Sequence, residues 1–244
     1  MNTEPHAQTL DGDTARQPRR IRRGRKALRR VGLLGLTIAV ALLVTGRAQA
    51  APAPRLETAP GCNAAASGQP NGLQWQSEPG MTVDQNAAYT ADLASNCGTI
   101  TVALDAARAP HTVNSFVFLA QQQYFDHTKC HRLTTQGIFV LQCGDPTATG
   151  TGGPGYKFGD ENLAGATYPA GTLAMANSGP NTNGSQFFLV YKDSQLPPNY
   201  TPFGKVTGGL DVLQNIAAAG VTGGGGDGSP AAEVTLDTVS ANRN

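Results

Sequence analysis

Arg132, in the run CHRLTT, carries a permanently charged fork of N–H donors among strand-forming residues. Residue type alone would place such an arginine in a surface ion pair worth under about 1 kcal/mol. The other reactive residues exclude more chemistry than they offer. Ser178 and Ser185 lack the Gly-x-Ser-x-Gly elbow of a hydrolase, and none of the four histidines has an evident partner. His127, Cys130 and His131 crowd together in HTKCH without the paired spacing of a structural zinc site, so no metal is expected. His131 reads as a packed hairpin residue rather than an acid or base. The glycines at 223–226 lack the Lys and Ser or Thr that complete a phosphate loop, and read as a flexible connection. SGPNTNGS at 178–185 joins two apolar runs that a two-residue Asn-Gly turn would connect, which marks the stretch as either slack or a working surface.

The elements that must position these residues follow from periodicity. AAYTADLAS and GTITVALD alternate as two strands across Asn96-Cys97-Gly98, and residues 112–123 place Val113, Phe116, Val117 and Ala120 on one helical face. Further strands are expected near 130–135, 138–143, 172–176, 186–191 and 203–206, a short helix at 210–218, and a last strand in EVTLDTVSA. Seven or eight short antiparallel strands with two helices predict a mainly β barrel with the helices closing its ends.

The 244 residues are 39% apolar and 14% charged, which suits one domain with appendages. The net charge of +1 conceals a division: ten basic and three acidic residues precede Ala51, a net +7, and eight basic and fourteen acidic follow, a net −6. An acidic body is a poor partner for nucleic acid or an anionic membrane, both of which are bound largely through Lys and Arg. The basic excess belongs to a dense Arg/Lys run followed by an apolar stretch at 31–44 and then Ala48-Gln49-Ala50, the three-part pattern of an export signal. Fourteen residues make roughly 21 Å of helix, short of a hydrocarbon core of about 30 Å, so residues 1–50 are expected to be cleaved off. The rival is an uncleaved anchor at 31–46, the one contact with a membrane that the sequence foresees. Arg29-Arg30 also permits a twin-arginine route. In each case the body is exported, to the cell envelope or the medium.

Residues 51–80 are rich in Ala, Pro, Gly and Ser and read as a linker or extended arm, with Trp75 a local docking contact; residues 81–244 form the domain. Four cysteines in an exported chain favour a disulfide framework with three possible pairings. Cys130 and Cys143 bracket two strand-like runs joined by a turn near Gln136 and Gly137, so they are the preferred pair, which leaves Cys62 with Cys97.

CHRLTT, FVLQCGDP, GTGGPGYKFGDE, GTLAMANSGPNTNGSQFFLV and FGKVTGGLDVL stand in the order, and at nearly the spacing, of the cyclophilins. The chain resembles this family of peptidyl-prolyl cis-trans isomerases over residues 82–240. The resemblance implies a closed eight-stranded antiparallel barrel with a helix at each end, and rotation about Xaa-Pro bonds of peptides and unfolded exported proteins by a monomer without cofactors. It assigns Arg132, Phe139 and Gln142 to catalysis. It places Val140, Ala176, Asn177, Phe188, Leu196 and Tyr200 around the substrate. Phe139, Val140, Phe188 and Leu196 would wall a proline pocket, with Gln142 and the backbone near Ala176 and Asn177 holding the peptide. A non-catalytic proline-binding module or holdase would use the same groove.

This chain departs from the pattern at several points. About two extra residues separate Arg132 from Gln142, which loosens the register of Phe139 and Val140. Gln195 stands where many eukaryotic members have Trp, and Tyr200 where they have His. The indole donor that helps bind cyclosporin is therefore missing. The preferred disulfide would also stiffen the hairpin that carries Arg132 and Gln142.

Overall fold

Alternating apolar residues build an antiparallel sheet whose two faces have separate hydrophobic clusters. A computed structural model describes residues 61–244, so the expected export segment and the first part of the linker lie outside the described residues. The strands are β1 (Tyr89–Ser95), β2 (Gly98–Leu104), β3 (Thr128–Lys129), β4 (Arg132–Thr134), β5 (Val140–Cys143), β6 (Thr172–Met175), β7 (Phe187–Val190), β8 (Pro202–Gly208), β9 (Asp227–Gly228) and β10 (Thr235–Arg243). Among the described residues two α-helices, α1 (Pro110–Gln121) and α2 (Leu210–Ala218), accompany the sheet. The ladder order is β3-β10-β1-β2-β8-β6-β7-β5-β4-β9, antiparallel throughout. The sheet thus has ten strands, curled into a half-barrel, where sequence periodicity counts seven or eight. The additions, β3 and β9, are two residues each and too short to show an alternation.

In β7, Phe187 and Leu189 point into the main core, while Phe188 and Val190 join a second cluster with Val140, Ala174 and Tyr168. The main core is dense in aromatic rings. Phe116 of α1 stacks on Phe125 at 5.0 Å between centroids and meets Phe187 and Phe203 at 5.5 Å each. Helix α1 begins two residues before the expected start, since Pro110 fits its first turn. Glu161 supplies the missing cap: its carboxylate accepts from the backbone N–H of His111 at 3.1 Å and of Thr112 at 2.8 Å. Helix α2 starts from Gly209 at φ 78°, where a Cβ would collide with the Thr99 carbonyl.

The arm, residues 61–80, has no regular structure but its polar groups find partners on the domain. Asn63 donates to the Asn96 carbonyl at 2.8 Å, and Trp75 to that of Pro154 at 2.8 Å. Asn71 caps the end of α1 through the carbonyls of Gln122 and Gln123. The Trp75 ring packs against Phe118 at 5.1 Å and Tyr124 at 5.7 Å, which explains why α1 is buried on more than the one face its apolar spacing indicates. A Cys62–Cys97 disulfide pins the start of the arm, and Cys130–Cys143 ties β5 to the residues before β4. Among the described residues no helix is long and apolar enough to cross a membrane.

Candidate active site

Strands β4, β5, β6 and β7 present one continuous patch of side chains on the sheet face opposite the main core. Register sets the patch: Arg132 lies across from Gln142, Gln142 from Phe188, and Phe188 from Ala174. Side chains on directly opposed positions share a face. Above them is a cavity of about 160 Å³, lined by Arg132, Ile138, Val140, Gln142, Ala176, Asn177, Phe188, Leu196 and Tyr200. Its floor is dry: Val140 and Phe188 are 2% and 4% exposed. Tyr200 stands edge-on to Phe188 at 5.5 Å. Its backbone is held by Tyr168, whose hydroxyl donates to the Tyr200 carbonyl at 2.8 Å and accepts from the Tyr200 N–H at 3.1 Å.

Eight of the nine residues assigned to catalysis or substrate from sequence therefore meet at one cavity. Phe139 does not. Positions 140 and 142 face the cavity, so the two-residue period of the strand brings position 138 to that face and turns 139 away. Ile138 lines the cavity, and Phe139 packs against Tyr191 at 5.9 Å under the Lys192 ammonium. The extra residues of the β4–β5 connection, with Gly137 at φ 73°, place Ile138 over the mouth.

The polar wall is a directed chain of hydrogen bonds. Arg132 donates through Nε and Nη2 to both carboxylate oxygens of Asp227, at 2.8 and 2.7 Å, and through Nη1 to Gln142 Oε1 at 3.3 Å. Gln142 Nε2 donates to Gln186 Oε1 at 2.8 Å, and Gln186 Nε2 to the Gly152 carbonyl at 2.9 Å. This direction fixes both amides, because reversing either would set donor against donor. The hydrogen bond from Arg132 holds the Asp227 carboxyl below its ordinary range, and the same bond raises the guanidinium further.

Gly152 belongs to a loop organised by Asp145, a fully buried carboxylate that accepts from Thr147, Gly150 and Gly152 N–H groups. Burial alone would raise the Asp145 pKa, but these donors outweigh it and hold the group below the carboxylate range. The loop walls a second groove of about 610 Å³ that shares Gln142, Ala176 and Asn177 with the small cavity. Residues 178–185 form its other bank. They are clamped by Asn183, whose Nδ2 donates to the Gly159 carbonyl at 2.9 Å and to Asp160 at 2.8 Å, and by Asn181, whose N–H donates to Asp160 at 2.8 Å. The long polar loop is a built wall. His131 is half-buried, with both ring nitrogens shielded from solvent and without partners, and this desolvation keeps its pKa down.

Asp227, Gln186, Tyr168 and Ile138 are the site residues that sequence reasoning missed. Gln186 had a readable signal, two positions before Phe188 on the same strand face. Asp227 had none, hidden in a glycine run.

The site is thus a small apolar cavity on a curled antiparallel sheet, with oriented N–H donors along one edge and an open groove beside it. Residues 90–241 match the family model described as cyclophilin type peptidyl-prolyl cis-trans isomerase/CLD, and the chain belongs to that family. It is 54% identical over 167 residues to the probable peptidyl-prolyl cis-trans isomerase B of Mycobacterium leprae, covering 63% of this chain and 57% of the relative. The protein of the same name in Mycobacterium tuberculosis is 53% identical over 167 residues, covering 63% and 54%. The chain thus spans a little over half the length of these curated relatives. Among solved structures, a cyclophilin type isomerase of Cryptosporidium parvum superposes with a TM-score of 0.58 at 30% identity, covering 64% of this chain and 99% of that one. The same protein in the presence of the dipeptide Ala-Pro gives 0.57.

Proposed function

We propose that this chain is a peptidyl-prolyl cis-trans isomerase that rotates Xaa-Pro bonds in exported, unfolded proteins. The observation that carries the reading is the Arg132 guanidinium, oriented by Asp227 and Gln142 at the rim of the dry cavity.

The reaction needs no bond to be broken. Rotation faces a barrier of about 18–20 kcal/mol because the prolyl nitrogen shares its lone pair with the carbonyl. At mid-rotation the nitrogen turns pyramidal and regains that pair. A donor aimed at it then binds the transition state more strongly than the planar ground state. Val140, Phe188, Leu196 and Ile138 grip the ring and exclude water, which raises the worth of the Arg132 hydrogen bond. Gln142 and the backbone at Ala176 and Asn177 hold the flanking chain. No proton moves, in keeping with a half-buried His131 whose ring nitrogens lack partners.

The curled sheet is read as the family's closed barrel, supported by the two residues that join β3 to β4: the Cys130 N–H donates to the Val234 carbonyl at 2.9 Å, extending the β3–β10 pairing, and the His131 N–H donates to the Gln142 carbonyl of β5 at 3.1 Å. Export is supported by the two disulfides, which suit an oxidising compartment, and by the signal pattern of residues 1–50; the protein is taken to act as a monomer. The test is the rate of cis-trans exchange in a proline-containing peptide with catalytic amounts of protein. Acceleration of exchange supports turnover. Suppressed aggregation of an unfolded client without acceleration would establish the holdase instead.

A further inference from the structure

The glycine run at 223–226 and the residue after it do more than connect. Gly223 and Gly224 adopt φ 80° and 77°, a left-handed turn that sends the chain back from α2 along β4. There β9 pairs Asp227 with Thr134 and Gly228 with Leu133, and the Thr135 N–H donates to the Gly226 carbonyl at 2.8 Å. Asp227 is opposite Thr134, so it shares a face with Arg132 and reaches it diagonally, the normal geometry of a cross-strand ion pair. A side chain at Gly226 would press into Gln136.

Asp227 takes the Nε–H and one Nη2–H of Arg132, the side edge of the fork. Gln142 draws one Nη1–H. Of the five N–H donors of a guanidinium, two are left, one on each terminal nitrogen. A side-on carboxylate fixes both the plane and the in-plane rotation of the guanidinium, which a long flexible side chain could not hold alone.

We propose that Asp227 is the positioning residue of the site: it locks Arg132 by its side edge so that the two remaining donors point at the bound prolyl bond. The inference rests on the isomerase reading above. Asp227 does not itself touch the peptide, and its 56% exposed side chain marks the pair as an orienting device at the rim rather than a core support.

The test compares Asp227→Ala, Asp227→Asn and Asp227→Glu with the wild-type protein in peptide exchange, each also combined with Arg132→Ala. Misaiming a donor weakens the transition state more than the ground state, so Ala and Asn should lower kcat on the order of tenfold with little change in KM. Glu should restore part of the loss, since the glycines can accommodate one more methylene. In the Arg132→Ala background, Asp227→Ala should cost nothing further. The Arg132 Nε–H resonance should exchange slowly with solvent in the wild type and fast in Asp227→Asn, a readout a merely structural role would not move. Unchanged or faster turnover in Asp227→Ala, or an equal fractional loss with and without Arg132, would overturn the inference while leaving the isomerase reading standing. A wild-type protein that does not accelerate exchange would remove both.

Discussion

The two disulfides should separate stability from activity, and in opposite order. Cys62–Cys97 closes a separation of 35 residues and Cys130–Cys143 one of 13. Loop-closure entropy then assigns about 3.8 kcal/mol to the first and about 2.9 kcal/mol to the second at 25 °C. With a urea dependence of about 2 kcal/mol per molar, replacing both cysteines of a pair by serine should lower the unfolding midpoint by about 1.9 M and about 1.5 M respectively. Activity should rank the other way. The first bond fastens the arm to the β1–β2 turn, away from the cavity, and its loss should leave kcat/KM within about twofold. The second brackets Arg132 and Gln142, and its loss should free the hairpin enough to lower kcat/KM on the order of tenfold, because small misplacements of a donor are costly. The assays are urea denaturation followed by tryptophan fluorescence, using Trp75, and peptide exchange well below the midpoint. If the Cys130→Ser/Cys143→Ser protein keeps full activity, the hairpin needs no covalent brace. If the Cys62→Ser/Cys97→Ser protein loses less stability than the other, the arm does not contribute the constraint its loop length implies.

Ile138→Ala should lower kcat/KM about tenfold by opening the cavity, whereas Phe139→Ala should change it less than about twofold; the reverse order would restore the sequence-based assignment of Phe139. His131 is held neutral by burial, its pKa below the ordinary value, so the unfolded chain binds its proton first as the medium is acidified. Its contribution to stability is therefore complete above about pH 6.5 and is lost as pH falls from there through the lower folded-state value. Unfolding midpoints from pH 8 to 5 should show this slope, and His131→Phe should flatten it; an unchanged slope contradicts the assignment. Gln195 is exposed, next in sequence to the cavity-lining Leu196, and offers no indole donor, so cyclosporin should inhibit exchange weakly, and nanomolar inhibition would refute this.

Much of the architecture was legible in the sequence because short runs of apolar, strand-forming residues announce themselves. TITV in β2 and FFLV in β7 carry enough apolar residues to be recognised, and the α1 stripe at Val113, Phe116 and Val117 marks a helix. The two-residue strands β3 and β9 are too short to alternate, and they exist only because neighbouring chain already lies alongside. Parity explains the error at Phe139. An aromatic residue is the obvious choice for a pocket, but Gln142 fixes which residues of β5 share its face, and two inserted residues in the turn bring Ile138 onto that face. Asp227 was illegible for a different reason. Its partner is 95 residues away, and glycine-rich flanks read as slack until the left-handed turn they permit is seen. The composition of the arm marks it as a linker or extended segment with Trp75 as its docking contact, and in residues 61–80 that tryptophan, the Cys62–Cys97 disulfide and backbone hydrogen bonds hold it on the domain.

Arg132, held at the edge of the apolar cavity, is proposed to lower the barrier to Xaa-Pro rotation. Two-dimensional exchange NMR on a proline-containing peptide, with the wild-type protein and Arg132→Ala side by side, measures this without a coupling protease. Rapid exchange is expected with the wild type, and a fall in kcat/KM on the order of 10²–10³-fold in Arg132→Ala, the cost of removing one donor aimed at a developing charge. Equal rates for the two folded proteins would contradict it.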